Sequence, residues 1–165
     1  MSLIKLANDR IVCPEGPHDA VLSAVFSLGL QPGYDGEKPK AKHTYIFELA
    51  DRIPNGSLAG QPYVVSIIMT DSLHEKSRLF SAVKALRGGL TAQDTQAGTF
   101  DPASMVGLCC TLVTANQVRA GKTVANIESI FKRDPSLPKL VPTKDWTTIP
   151  DWVQRLRAQS LDKVA

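Results

Sequence analysis

Cysteine is scarce in this chain: three in 165 residues, two of them the neighbours Cys109 and Cys110. An odd count with an adjacent pair offers no disulfide framework, so the expected setting is a reducing cytoplasm. Neighbours on a strand point to opposite faces, so Cys109 and Cys110 cannot readily share a metal ion. Histidine is equally rare, at His18, His43 and His74, and no ligand spacing recurs. The run His74-Glu75-Lys76-Ser77-Arg78 places Arg78 where a zinc-protease helix needs its second histidine. No metal and no cofactor is expected. No apolar run approaches a membrane span, and the first ten residues lack the apolar core of a signal peptide, so no membrane partner is expected either. Aromatic residues make up only 6% of the chain, and charged residues, at 21%, form no long blocks. The formal charge of +3 permits a polyanionic partner without requiring one.

Catalytic arrangements are missing too. Asp71, Glu75, Asp94 and Asp101 show no pairing suited to acid–base work, and no base stands near Cys13, Cys109 or Cys110 in sequence. Ala120-Gly121-Lys122-Thr123 has the end of a phosphate-binding loop. The glycine required five residues before Gly121 is replaced by Asn116, and a strand pattern follows instead of a helix. The chain is not expected to be an enzyme.

What is present is a succession of short alternating segments around one helix. Tyr63, Val65, Ile67 and Met69 alternate with Val64, Ser66, Ile68 and Thr70, the two-residue period of a strand. Ser72 and Glu75 have the spacing of a capping box, which predicts that a helix starts there. Leu79, Phe80, Val83 and Leu86 supply its apolar stripe, and Gly88-Gly89 ends it. The cations Lys76, Arg78, Lys84 and Arg87 read as its solvated face. Upstream, residues 19–30 read as a long strand with Gly29 as a bulge or bend, and residues 43–50 as a second strand. Downstream, residues 90–105 read as loop with a helical turn near Pro102. Residues 106–114 and 124–131 read as the last two strands, joined by a hairpin. From Lys132 prolines recur at Pro135, Pro138, Pro142 and Pro150, predicting an extension that packs on the surface or hangs free. Pro150 opens a short final helix, and Trp146 and Trp152 are candidate staples.

Three strands, a helix and two strands in this order predict a mainly β fold. The expected form is a five-stranded OB-fold Greek-key barrel, with one helix between strands 3 and 4, over residues 1–131; a split αβ sandwich could present the same order. Residues 132–165 form the proline-rich extension with its short helix. In such a barrel the loops 31–42 and 115–123 flank the face that meets a nucleic acid strand. Lys38, Lys40 and Lys42 on the first loop, with Arg119 and Lys122 on the second, are the candidate phosphate contacts. Tyr34 is the freest candidate for base stacking. Tyr45 and Phe47 are weaker candidates, because alternation puts them on an apolar face.

The segments KHTYIFELA, GQPYVVSIIMTDSLHEKSRLFSAVKALRG, FDPASMVGLCCTLVT and GKTVANIESI cover roughly half the chain. They resemble a family of small bacteriophage and prophage proteins labelled phage replication initiation or single-stranded DNA-binding proteins. Related sequences are often richer in tryptophan around the second strand, where this chain has Tyr45 and Phe47. The resemblance implies a phage-encoded accessory of DNA replication or recombination in the host cytoplasm. The leading expectation is a non-enzymatic binder of single-stranded DNA with little sequence preference, compatible with a homo-oligomer. Replication or recombination proteins are further expected partners. The alternative is a protein-interaction module that docks a helicase, helicase loader or recombinase without binding DNA itself.

Overall fold

The computed structural model of the chain describes residues 11–33 and 36–161. Five strands form one antiparallel sheet: β1 (Gly16–Gln31), β2 (Lys40–Arg52), β3 (Pro62–Thr70), β4 (Cys109–Arg119) and β5 (Lys122–Phe131). Their order across the sheet is β3-β2-β1-β4-β5. The protein is mainly β, as the alternating segments predict.

β1 serves two partners. Gly16–Val21 pairs with β4, from Gly16↔Thr114 to Val21↔Cys109, whereas Ala20–Gln31 pairs with β2. The register with β2 slips between Leu22 and Ala24, just after the handover, and again between Ser27 and Gly29. A bulge bends a strand and adds twist, so these two slips curve β1 where it changes partner and near its end. Gly29 takes a φ of 67°, the left-handed conformation that glycine adopts without steric cost. The outer strands β3 and β5 come within packing distance of each other, although no ladder joins them among the described residues.

The connection from β3 to β4 departs from expectation. One helix capped by Ser72 was predicted. The chain forms α1 (Arg78–Arg87), then the unexpected α2 (Ala92–Ala97), and the helical turn expected near Pro102 as a 3-10 turn (Pro102–Met105). α1 is capped by Ser77, whose Oγ accepts from Phe80 N at 3.1 Å. Ser77 also donates to the Ser72 carbonyl at 2.6 Å, which ties residues 72–77 into a turn. The cause is proximity to the apolar stripe: Leu79, Ala82, Val83 and Leu86 are the buried residues of α1, and Ser77 is the serine next to them. α2 carries a capping box of its own, Thr91 with Asp94, and none of its residues is buried.

The principal core lies between one face of the sheet and α1. Leu22, Tyr45, Phe47, Val65, Leu112 and Ile127 meet Leu79, Val83, Leu86 and the Met105 of the 3-10 turn. Unusually, the opposite face of β2 is also buried, at Thr44, Ile46 and Glu48. The C-terminal extension reaches this face and β1 beside it. Thr143, Lys144 and Trp146 contact Glu48, and α3 (Asp151–Ala158) packs on β1 with Val153 fully buried. Three backbone acceptors complete the attachment. Arg157 Nε donates to Ser27 O at 2.7 Å, Gln31 Nε2 to Leu156 O at 2.9 Å, and Leu161 N to Leu30 O at 2.8 Å. Of the two expected behaviours, residues 132–161 pack.

Candidate nucleic-acid interface

The residues singled out in the sequence fall in four environments. Tyr34 lies outside the described residues. Lys38 is exposed in the connection after β1, and Lys40 approaches Glu37 at 3.9 Å. Lys40 and Lys42 lie on β2 and not in a loop, opposite Gln31 and Gly29 respectively. Tyr45 and Phe47 are 0% exposed and belong to the principal core. This corrects their candidacy as stacking platforms, since a base cannot reach a ring that faces inward. Burial, and then the nearby charge of Asp71, push the Tyr45 hydroxyl well above the ordinary tyrosine range.

Arg119 and Lys122 are paired across the tip of the β4–β5 hairpin. The two residues between them, Ala120 and Gly121, have φ of 50° and 76°. Positive φ at both central positions is the mark of the type I′ turn that suits two-residue hairpins. Both cations are exposed, and Arg119 donates to the Gln117 side chain at 3.1 Å. Along the ladder this tip overshoots the Gly16 end of β1, whereas Lys38 and Lys40 stand at its Gln31 end. The ladder therefore keeps the two predicted basic groups apart.

Different residues are brought together at the gap between the outer strands. A cleft of 320 Å³ opens there, lined by Ile67 and Met69 of β3, Ile130 and Phe131 of β5, and Lys76 and Arg78 beside the start of α1. Phe131 is 54% exposed, the only exposed phenylalanine, tyrosine or tryptophan among the described residues. Lys76 and Arg78 are exposed and have no ion-pair partner among the described residues, although Glu128 also lines the cleft. The first turn of α1 contains no acidic residue, so cations flank the positive end of the helix dipole. That arrangement weakens the helix and favours an incoming anion.

Sequence reasoning missed this cleft. Its signal was Phe131 at the end of the last alternating segment, together with cations on both sides of Ser77. Of the thiols, Cys13 and Cys110 are buried and Cys109 is half-buried. Burial, with Cys109 and Asp19 adding to it, pushes the Cys110 thiol up to about 12, and Cys109 Sγ donates to Leu140 O at 3.5 Å. No cluster of three potential metal-ligating side chains occurs among the described residues, and none of their helices is long and apolar enough to cross a membrane. No protein-family model matches the chain, and no curated protein matches it.

Proposed function

We propose that the chain is an OB-fold single-stranded DNA-binding protein with little sequence preference, acting in phage DNA replication or recombination in the bacterial cytoplasm. The observation that carries this reading is the exposed Phe131 beside Lys76 and Arg78 in the β3–β5 cleft. A ring with an open face stacks any base, and cations next to it follow the backbone, which is how such proteins bind without reading sequence. The barrel reading draws support from β1 pairing with both β2 and β4, from β3 and β5 facing one another, and from helix between β3 and β4. Lys38, Lys40, Arg119 and Lys122 are exposed and would add phosphate contacts at the two ends of β1; Lys42 is half-buried.

The test is a fluorescence-anisotropy titration of labelled oligo-dT of about 30 nucleotides at low and high salt, with duplex as competitor. Binding should weaken with salt and resist duplex. Phe131→Ala should cost about 1–3 kcal/mol, a stacked base's share. Lys76→Gln with Arg78→Gln should weaken binding and flatten its salt dependence. Failure to bind at micromolar protein in low salt would sink the proposal. The docking alternative would use the Trp146–Trp152 segment, and both indoles are half-buried against their own chain. Nothing in the geometry favours it.

A further inference from the structure

On the other side of the end of β5 lies a second cavity, of 380 Å³. Leu86, Leu108 and Leu137 supply its apolar lining, and Arg87, Lys132, Arg133 and Lys139 its charge. The four cations are not equivalent. Arg87 is already engaged: it pairs with Asp94, donates to Gly89 O at 3.3 Å, and lies 5.0 Å from the Phe100 ring centroid. It forms a fixed wall. Lys132 and Lys139 are exposed and have no ion-pair partner among the described residues.

Arg133 is the informative one. Its side chain is only 9% exposed, and its ion pair is a 3.4 Å approach of Nε to Asp19 Oδ1. That approach makes no hydrogen bond, and Nε is sealed from solvent without a partner. Of the five guanidinium donors, the one on Nε is thus held against Asp19 in a sealed place without a hydrogen bond, a costly arrangement. The one carboxylate lining the cavity does not relieve it. Asp134 accepts from Ser136 N at 2.9 Å and Ser136 Oγ at 2.8 Å, so it serves its own turn. A nine-tenths buried guanidinium, whose Nε faces Asp19 without a hydrogen bond, thus lines a cavity beside two ammonium groups with no ion-pair partner among the described residues.

We propose that this cavity is a phosphoryl-binding site, in which Arg133, Lys132 and Lys139 receive the phosphate of a nucleotide or of a DNA strand end. Charge and shape select that chemistry. A carboxylate brings one charge and two oxygens, whereas a terminal phosphoryl group brings nearly two charges and three acceptor oxygens. The latter suits a planar fork together with two separate point charges. The apolar lining would face the rest of the ligand. The site stands independently of the DNA reading of the neighbouring cleft.

The experiment is isothermal titration of the full chain with sodium pyrophosphate, with dTMP and with sodium acetate, each at matched ionic strength. Pyrophosphate and dTMP should bind saturably with dissociation constants below about 1 mM, and acetate should not. Lys132→Gln combined with Lys139→Gln changes only exposed side chains, and should lower affinity at least about tenfold while leaving the melting temperature in place. Lys84→Gln, an exposed cation of α1 that lines neither cavity, should leave affinity unchanged. Oligo-dT with a 5′-phosphate then distinguishes the sources. Tighter binding than the 5′-hydroxyl strand, lost in the double variant, assigns the site to strand ends. Equal binding of the two strands, with dTMP still bound, assigns it to free nucleotide. Pyrophosphate and dTMP heats no different from chloride, acetate binding as tight as pyrophosphate, or an unaffected double variant would each overturn the proposal. Oligo-dT binding would survive any of those results if the first cleft alone holds DNA.

Discussion

A carboxylate that is 2% exposed must be surrounded by donors, and Glu48 is. Its Oε1 accepts from Thr143 N at 2.9 Å and Thr143 Oγ1 at 2.8 Å, and its Oε2 accepts from Trp146 Nε1 at 3.1 Å. Burial alone would raise its pKa. The donors of Thr143, Ser23 and Trp146 outweigh burial and hold the group below the ordinary glutamate range. A folded-state pKa below the unfolded one contributes stability above the unfolded value, and that contribution fades as pH falls through the folded value. Acid should therefore loosen the extension, seen as a change in Trp146 fluorescence below the ordinary glutamate pKa and absent in Glu48→Gln. Glu48→Ala, which leaves the Thr143 and Trp146 donors unpaired, should cost about 3 kcal/mol in urea denaturation. Loss of less than about 0.5 kcal/mol would show that water replaces the carboxylate. Alternation alone put Glu48 on the face opposite Tyr45 and Phe47. Its partners, 95 residues further on in the case of Thr143, could not be read from local pattern.

At the scale of elements, α1 offers the clearest discrimination. Ser77→Ala should destabilise the fold by about 1 kcal/mol through loss of the cap at Phe80 N. Ser72→Ala should lie within about 0.5 kcal/mol of the parent, because Ser72 Oγ only accepts from His74 N at 3.4 Å. The reverse order, measured by thermal melts of both variants, would restore Ser72 as the cap. The five strands were legible because alternation on β2 and β3 is strong, and Gly29 announced its bulge. The bulge near Ser23 was not legible, since nothing in the local residues says where β1 changes partner. α2 was missed for a different reason. Its Thr91–Asp94 box is complete, but no buried residue gives the segment helical periodicity.

For the whole molecule, the strand order along the chain was legible and the surfaces were not. Which side of a strand is free depends on what the distant parts of the chain do, and the Pro-rich extension covers one face of β2. The other face of β2, with Tyr45 and Phe47, closes on α1 in the principal core, so the exposed ring is Phe131. Deleting residues 133–161 should uncover Val21, Leu28 and Ile46, apolar residues buried outside the principal core. The truncated chain should bind a hydrophobic dye and self-associate on light scattering. A monomeric truncation with native-like stability would show that the sheet does not need its cover.

The dual pairing of β1 also sets an order of events during synthesis. β1 and β2 leave the ribosome early and can pair as neighbours, but the β4 partners of Gly16–Val21 and the donors that close over Glu48 follow only much later. The nascent chain must therefore carry a half-built sheet with one apolar side bare. Its closure should await residues 132–161, which cover what was made first.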